Sequence, residues 1–243
     1  MQIFSELSPG WADYFLLFIL IIVLPILGEL SMRRDKPGLI AGLPGARVKL
    51  YRSTIWMLLF TCAAVLLVWG LSQRSWAPLG FRIETGWMAW AGWGLAGLAA
   101  AGVISQYVLV CTSQAAATKI KAELEGMGDV LHYVPATRGE YRLFALTGLT
   151  AGITEEIIFR GYVIWAFGCF VPLWAAGLLS LALFIFLHRY QGLKGMIQVA
   201  LIGAVLTIVF LLSGSLWPAM LLHIIVDIAN NATVWAARQV KTV

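Results

Sequence analysis

Charge is what this 243-residue chain has least of: 12% of its residues are Asp, Glu, Lys or Arg, against 60% hydrophobic, with a mean hydropathy of +0.86. A soluble domain carries about a quarter of its residues as charges, so the composition excludes an ordinary soluble domain. Cysteine is scarce as well. Cys62, Cys111 and Cys169 are odd in number and lack CxxC spacing, which excludes a disulfide framework or structural zinc cluster and leaves packing as their role. No basic stretch precedes the first apolar run, which ends in Gly28-Glu29-Leu30-Ser31 rather than a small-x-small site. It is therefore expected to be a retained helix, not a cleaved signal. There is no internal repeat, so a transporter built from duplicated halves gains no support.

What is present is a series of apolar runs, each long enough to cross ~30 Å of hydrocarbon. The expected fold is all-α, a polytopic transmembrane bundle with seven spans at roughly 14–30, 54–71, 87–110, 143–170, 172–188, 194–212 and 216–236. Asp35-Lys36-Pro37-Gly38, Ser72-Gln73-Arg74, Phe170-Val171-Pro172 and Ser213-Gly214-Ser215 punctuate them. The fourth span is longer than a bilayer needs, and a break near Gly161 or Gly168 would make eight. Residues 1–142 form an N-terminal part ending in a polar connection with a short interfacial helix, and 143–243 the part that carries the chemistry. In the third span Gly92, Ala96, Gly97, Ala101 and Gly102 provide for close helix contact.

The net charge of +5 sits in short connections rather than on one face, which points to membrane topology and not to nucleic acid. With the N-terminus outside and the C-terminus cytoplasmic, Arg33, Arg34, Lys36, Arg47, Lys49, Arg52, Lys119, Lys121, Arg138, Arg142, Arg189, Lys194, Arg238 and Lys241 all face the cytoplasm. Only Arg74 and Arg82 lie on the other side. Tryptophans near span ends, Trp11, Trp56, Trp76, Trp87 and Trp217 among them, read as an interfacial belt.

Against this background the ionisable residues inside spans stand out. Glu155, Glu156, Arg160, His188, His223 and Asp227 occupy apolar helices, where a charge costs a few kcal/mol (about 2.5–3.5 for Asp, Lys or Arg at the centre). Glu156 and Arg160 are four apart, in the order that favours pairing on one helix face. Glu155 is rotated ~100° from Glu156 and has no local cation, as a water-activating base requires. His223 and Asp227 are again four apart, with Asn230 and Asn231 a turn further. At ~1.5 Å per residue, Glu155, His223 and Asp227 reach similar depths. His188 falls near the cytoplasmic surface and joins them only if its helix shifts, tilts or lines an open cavity. His132 lies in the polar connection and is expected to be solvated.

Three motifs follow in order on three helices. Glu155-Glu156-x-x-x-Arg160 resembles the EExxxR motif of the CAAX-processing and bacteriocin-processing (CPBP) family of intramembrane proteases, which takes in the CAAX prenyl endopeptidase and bacterial Abi-type proteins. Phe184-x-x-x-His188 resembles its FxxxH, and His223-x-x-x-Asp227 its third motif, His-x-x-x-Asn or Asp. The resemblance covers about 143–231. It implies an endopeptidase acting on membrane-associated proteins or peptides, in which Glu155 and His188 activate water and His223 with Asp227 faces the tetrahedral intermediate. Glu156 and Arg160 would support them, and Asn230 or Asn231 could supply a donor. An ionised Asp227 repels an oxyanion, so it must be protonated, orient His223 or bind a metal.

No cofactor is favoured. Zinc or another divalent metal would have Glu155, His188, His223 and Asp227 to hold it, although no HExxH is present. The resemblance places the protein in a bilayer, in a bacterial inner membrane, with a peptide substrate as partner and no nucleic acid. It leaves the substrate's identity open, and no CAAX box ends the chain. A proton- or ion-coupled transporter would use the same carboxylates, and a non-catalytic immunity or binding protein is a further reading. Gly126-Met127-Gly128-Asp129 matches the GxGD string of another protease class, but its polar surroundings read as a turn.

Overall fold

The computed structural model describes residues 8–126 and 128–239, and among them the regular structure is helical throughout. Helix α1 runs Trp11–Ile40, α2 Ala46–Leu71, α3 Trp87–Thr112 and α4 Gln114–Glu125. Helix α5 covers 138–168, followed by α6 at Leu173–Leu187, α7 at Gly192–Ser213 and α8 at Leu216–Gln239. Met127, Lys241 and the other residues after 239 lie outside the described part, as do residues 1–7.

Local chemistry sets several boundaries. Thr137 and Glu140 form a reciprocal capping box that starts α5: the Thr137 hydroxyl accepts from the Glu140 N–H, and the Glu140 carboxylate accepts from the Thr137 N–H. Ser113 caps α4 by accepting from Ala116 N–H. Gly214, at φ +62°, ends α7, and Pro218 sits in the first turn of α8, where its missing N–H has no partner to lose. The Asp129 decoy lies in a short 3-10 helix, Gly128–His132, away from any span.

Among the described residues, five helical segments are long and apolar enough to cross a membrane: Trp11–Ile40, Ala46–Leu71, Trp87–Thr112, Arg189–Ser213 and Leu216–Gln239. The other two expected spans are occupied by α5 and α6. Helix α6 has 15 residues, and α5 is interrupted by the charges of Glu155, Glu156 and Arg160. Two expectations are corrected. The first helix does not stop at Asp35-Lys36-Pro37-Gly38 but continues to Ile40. Pro37 removes a single hydrogen bond there, at an exposed end where water can serve the freed Arg33 carbonyl. Helix α5 also does not break at Gly161. It widens into a π-helical stretch, Glu156–Val163, and closes at Gly168.

Helix α8 lies against α3 and α5, while α5 is also covered by α2, and α3 by α7. Glycines set the tightest approach. A Cβ on Gly152 would stand 2.7 Å from Ile224 Cγ1 and 2.8 Å from the Ile224 backbone nitrogen, and one on Gly148 2.9 Å from Asp227 Cβ. The α5–α8 spacing that brings the motifs together therefore depends on these two positions. In α3 only part of the expected stripe packs. Gly92 is in contact with Ser213 and Val209 of α7 and Ala96 is buried, whereas Gly97, Ala101 and Gly102 face outward. Gly152→Ala is expected to destabilise the protein by about 1–3 kcal/mol through overpacking. Gly97→Ala, with open space around it, should stabilise by about 0.5–1 kcal/mol. Thermal unfolding in one detergent compares the two directly, and equal shifts would contradict the close α5–α8 approach.

Arg74, expected among solvent-side cations, is instead enclosed. Its side chain is 6% exposed and forms a two-bond pair with the Asp13 carboxylate, which is fully buried. Its guanidinium stands 4.4 Å from the Trp165 ring centroid and 5.4 Å from that of Trp69. The Tyr162 hydroxyl donates to Asp13 Oδ1 at 3.1 Å. This cluster joins α1, the segment after α2, and the π-helical part of α5. Trp11, Trp56, Trp76, Trp87 and Trp217, by contrast, are exposed as a belt requires.

Candidate active site

Glu155 closes the α-helical part of α5 and Glu156 opens the π-helical part. A π turn carries an extra residue and recurs at functional positions in helices. Glu156 is fully buried, and its Oε1 accepts two hydrogen bonds: from Arg160 Nη1 at 2.8 Å, and from His223 Nδ1 of α8 at 2.7 Å. The i to i+4 pair expected from spacing is present, but it is one arm of a link between two motifs. Arg160, 1% exposed, is satisfied further by the Gly203 carbonyl of α7 at 3.1 Å. Its guanidinium lies 4.5 Å from the Phe184 ring centroid.

The hydrogen bond to Glu156 has a consequence for His223. A carboxylate already bound to Arg160 accepts, so Nδ1 carries the hydrogen, leaving Nε2 to the opposite side. Nε2 stands 3.9 Å from Glu155 Oε2 and 3.9 Å from Asp227 Oδ2. Glu155, read as lacking a local cation on its own helix, thus meets an imidazole from another. Separations of 3.9 Å exceed direct hydrogen bonds and suit groups that act through an intervening oxygen.

Phe184 explains the second motif physically. From one buried position its ring meets His188 at 4.5 Å, Phe159 at 5.1 Å and His223 at 6.4 Å between centroids. His188 follows the last residue of α6, and its Nδ1 lies 2.8 Å from the Phe184 carbonyl. That oxygen can only accept, so Nδ1 is the donor and the neutral ring offers Nε2 as a base. The next residue, Arg189, fastens this loop to α1 through the Pro25 carbonyl at 3.2 Å and Glu29 Oε2 at 3.1 Å.

The candidate residues share one cavity of about 280 Å³. Glu155, Phe184, His188, His223, Asp227, Asn230 and Asn231 all line it. His188 therefore does join the deeper residues, at a cavity rather than by a shifted helix. Glu156 and Arg160 sit behind the lining. Asn231 Nδ2 reaches the Phe144 carbonyl at 3.5 Å, the limit of a hydrogen bond. Among the described residues, no group of three or more His, Cys, Asp or Glu side chains is arranged to hold a metal ion.

Sequence reasoning missed most of the remaining lining, including the polar residues Thr54, Thr147, Tyr190, Gln191 and Gln198. Gln198, a polar residue in an apolar run, carried the same signal as the charged ones and could have been found by it. Tyr190 stacks on His188 with ring centroids 6.0 Å apart and 29° between planes, so His188 lies between Phe184 and Tyr190. The Tyr190 hydroxyl accepts from Gln191 Nε2 at 3.2 Å. Tyr190→Ala is expected to lower kcat about tenfold with little change in KM, because His188 loses one wall. Tyr190→Phe keeps the ring and should retain nearly all activity. Equal losses in the two variants would assign the effect to the hydroxyl and remove the positioning role.

No curated protein and no solved structure matches the chain. The family model described as type II CAAX prenyl endopeptidase Rce1-like matches residues 138–229. The matched segment begins at the first residue of α5 and ends just before Asn230, so it holds all three motifs and leaves α1 to α4 outside it. Over residues 138–229, less than half of its length, this chain is similar to the type II CAAX prenyl endopeptidase Rce1-like family, a family of proteases.

Proposed function

We propose that this protein is an intramembrane endopeptidase that hydrolyses peptide bonds of membrane-associated proteins or peptides with a glutamate-activated water. Glu155 takes one proton of the attacking water, whose other hydrogen bonds to His188 Nε2, and gives that proton to the leaving amine nitrogen as the C–N bond breaks. His223, protonated at both ring nitrogens between Glu156 and Asp227, presents Nε2–H to the oxyanion that forms at the scissile carbonyl, where a preorganised donor acts most strongly. Glu156 fixes the ring of His223 and is itself held by Arg160. Asp227 orients His223 and keeps a hydrogen on Nε2, which answers the objection that an aspartate repels an oxyanion. The observation that carries this reading is the hydrogen bond from His223 to Glu156, which ties the first and third motifs and turns Nε2 toward Glu155.

In this reading the bundle crosses a bacterial inner membrane seven times, N-terminus outside, and the cavity opens toward the cytoplasm. The distribution of Lys and Arg supports that orientation, and the cavity lining extends to Thr54, Tyr190 and Gln191 near the helix ends that carry Arg52, Arg189 and Lys194. The test is cleavage of a fluorogenic membrane-peptide library by wild type and Glu155→Ala in liposomes, with and without chelator. Cleavage by wild type alone, unchanged by chelator, is expected. Loss with chelator would move His188, His223 and Asp227 into a metal site, and coupled ion flux without cleavage would turn the reading to transport.

A further inference from the structure

The π-helical stretch Glu156–Val163 is held from both ends. At the site, Glu156 and Arg160 fasten it to His223 and to the Gly203 carbonyl. Its other end is fastened by residues that do not line the cavity. The Tyr162 hydroxyl, on a fully buried side chain, donates to Asp13 of α1, and Asp13 pairs with Arg74 from the segment after α2. Arg74 in turn packs on Trp165, just beyond the stretch. The same segment meets the helix at Gly161, where a Cβ would stand 2.8 Å from the Leu79 carbonyl oxygen. Backbone strain lies next to Arg74. Gln73 has φ +52° and is the one non-glycine residue with a positive φ among those described. Strained backbone persists where its surroundings over-determine it, and the neighbouring guanidinium is enclosed by a carboxylate and two indoles. Asp13 and Arg74 both lie outside residues 138–229.

We infer that Asp13, Arg74 and Tyr162 are positioning residues: they hold the π-helical stretch in register, and through it keep Glu156 on His223 and Glu155 at the cavity. A π turn contains one residue more than an α turn and is the rarer form, so contacts from outside the helix must hold it. If the stretch relaxed to the α form, residues on one side of it would swing by roughly 100° about the axis relative to those on the other. With Tyr162 fixed to Asp13 and Arg160 to Gly203, that swing is prevented, and Glu156 keeps its line to His223 Nδ1. The effect on hydrolysis rests on the proposed protease reading, whereas the effect on His223 does not. A cluster that served packing alone would change stability. A positioning cluster must also change the setting of the His223 ring.

The experiment compares the full-length protein in nanodiscs as wild type, Asp13→Ala, Tyr162→Phe and Val110→Ala. Val110 belongs to a separate small core with Ala117 and Ala237, so its truncation lowers stability away from the π-helical stretch. Tyr162→Phe keeps the ring and removes one hydroxyl, and it decides the question if Asp13→Ala does not fold. The chain has three histidines, so isotope-labelled histidine NMR, with each signal assigned by single substitution, reads His223 directly. Its Nδ1 signal is expected to shift or split in Asp13→Ala and Tyr162→Phe and to stay in place in Val110→Ala. On the fluorogenic peptides, kcat should fall about tenfold or more in Asp13→Ala and less in Tyr162→Phe, with KM little changed, because misplacement by about 1 Å costs up to ~100-fold. A His223 signal at its wild-type position in each folded variant overturns the inference, whatever happens to kcat, and leaves the protease reading in place if wild type cleaves. The same shift in Val110→Ala overturns it too, since it reports general loosening. So does a shifted signal with undiminished kcat. The expected shifts without cleavage by any form, wild type included, support the inference and remove the protease reading.

Discussion

Glu155→Gln should abolish nearly all cleavage while leaving the protein folded. The substitution keeps the volume and polarity of the side chain and removes only its capacity to take a proton. General-base catalysis contributes about 10²–10⁴-fold, and the loss of kcat is expected in that range with KM little changed. Stability should move by about 1 kcal/mol or less, because the Glu155 carboxylate makes no direct hydrogen bond in the protein wall. Its neighbour His223 Nε2 is 3.9 Å away, and the Glu155 side chain is 13% exposed to the cavity. Single-turnover cleavage and thermal unfolding of the same preparation test both halves. A variant that still cuts at a tenth of the wild-type rate would remove Glu155 from the role of base.

The adjacent Glu156→Ala should behave in the opposite way, through stability first. It withdraws the acceptor from two buried donors, Arg160 Nη1 and His223 Nδ1, and leaves a guanidinium that is 1% exposed with only the Gly203 carbonyl and the Phe184 face. Breaking a buried pair by removing one partner costs about 3–5 kcal/mol, a large part of the ~5–15 kcal/mol that holds a typical domain together. The double change Glu156→Leu with Arg160→Met removes both charges and should recover much of that loss. It should not recover cleavage, since His223 Nδ1 still lacks its acceptor and the ring is free to turn. Unfolding of the single and double variants, with cleavage on each that folds, separates the two functions of Glu156. A double variant that cuts like wild type would show that the Glu156–His223 bond has no catalytic consequence.

Two neighbouring glutamates thus have different surroundings, and the difference was only half legible in the sequence. Spacing alone paired Glu156 with Arg160, because residues four apart share a helix face whatever surrounds them. It could not reveal that Glu156 Oε1 also holds His223, 67 positions away, since that bond depends on the approach of α5 to α8 at Gly148 and Gly152. His188 was similarly half visible. Its residue type and motif were plain, but depth counted along a single helix put it at the surface, and only the cavity formed by α5, α7, α8 and its own loop brings it to the others. The helix of Leu173–Leu187 simply ends at the cavity.

What the sequence by itself determined is what hydrophobicity and local spacing determine: apolar helices in series, the positions of most of their ends, and ionisable residues too costly in an apolar span to be there without a task. Three motifs in order along the chain carried the resemblance to the family. What only the tertiary structure decided is which groups from distant segments face one another. Arg74 is the clearest case. Its sequence neighbourhood reads as a polar loop between spans, yet it is enclosed by Asp13, Trp69 and Trp165, from three helices that meet only after folding. The same holds for Tyr190 on His188 and for the cavity that Glu155, His188, His223 and Asp227 share. Helix periodicity is fixed by hydrogen bonds a few residues long and can be read from a short window. Long-range pairing is fixed by the distance at which whole helix faces settle, and here that distance is set by two glycines whose spacing means nothing until the opposite helix is in place.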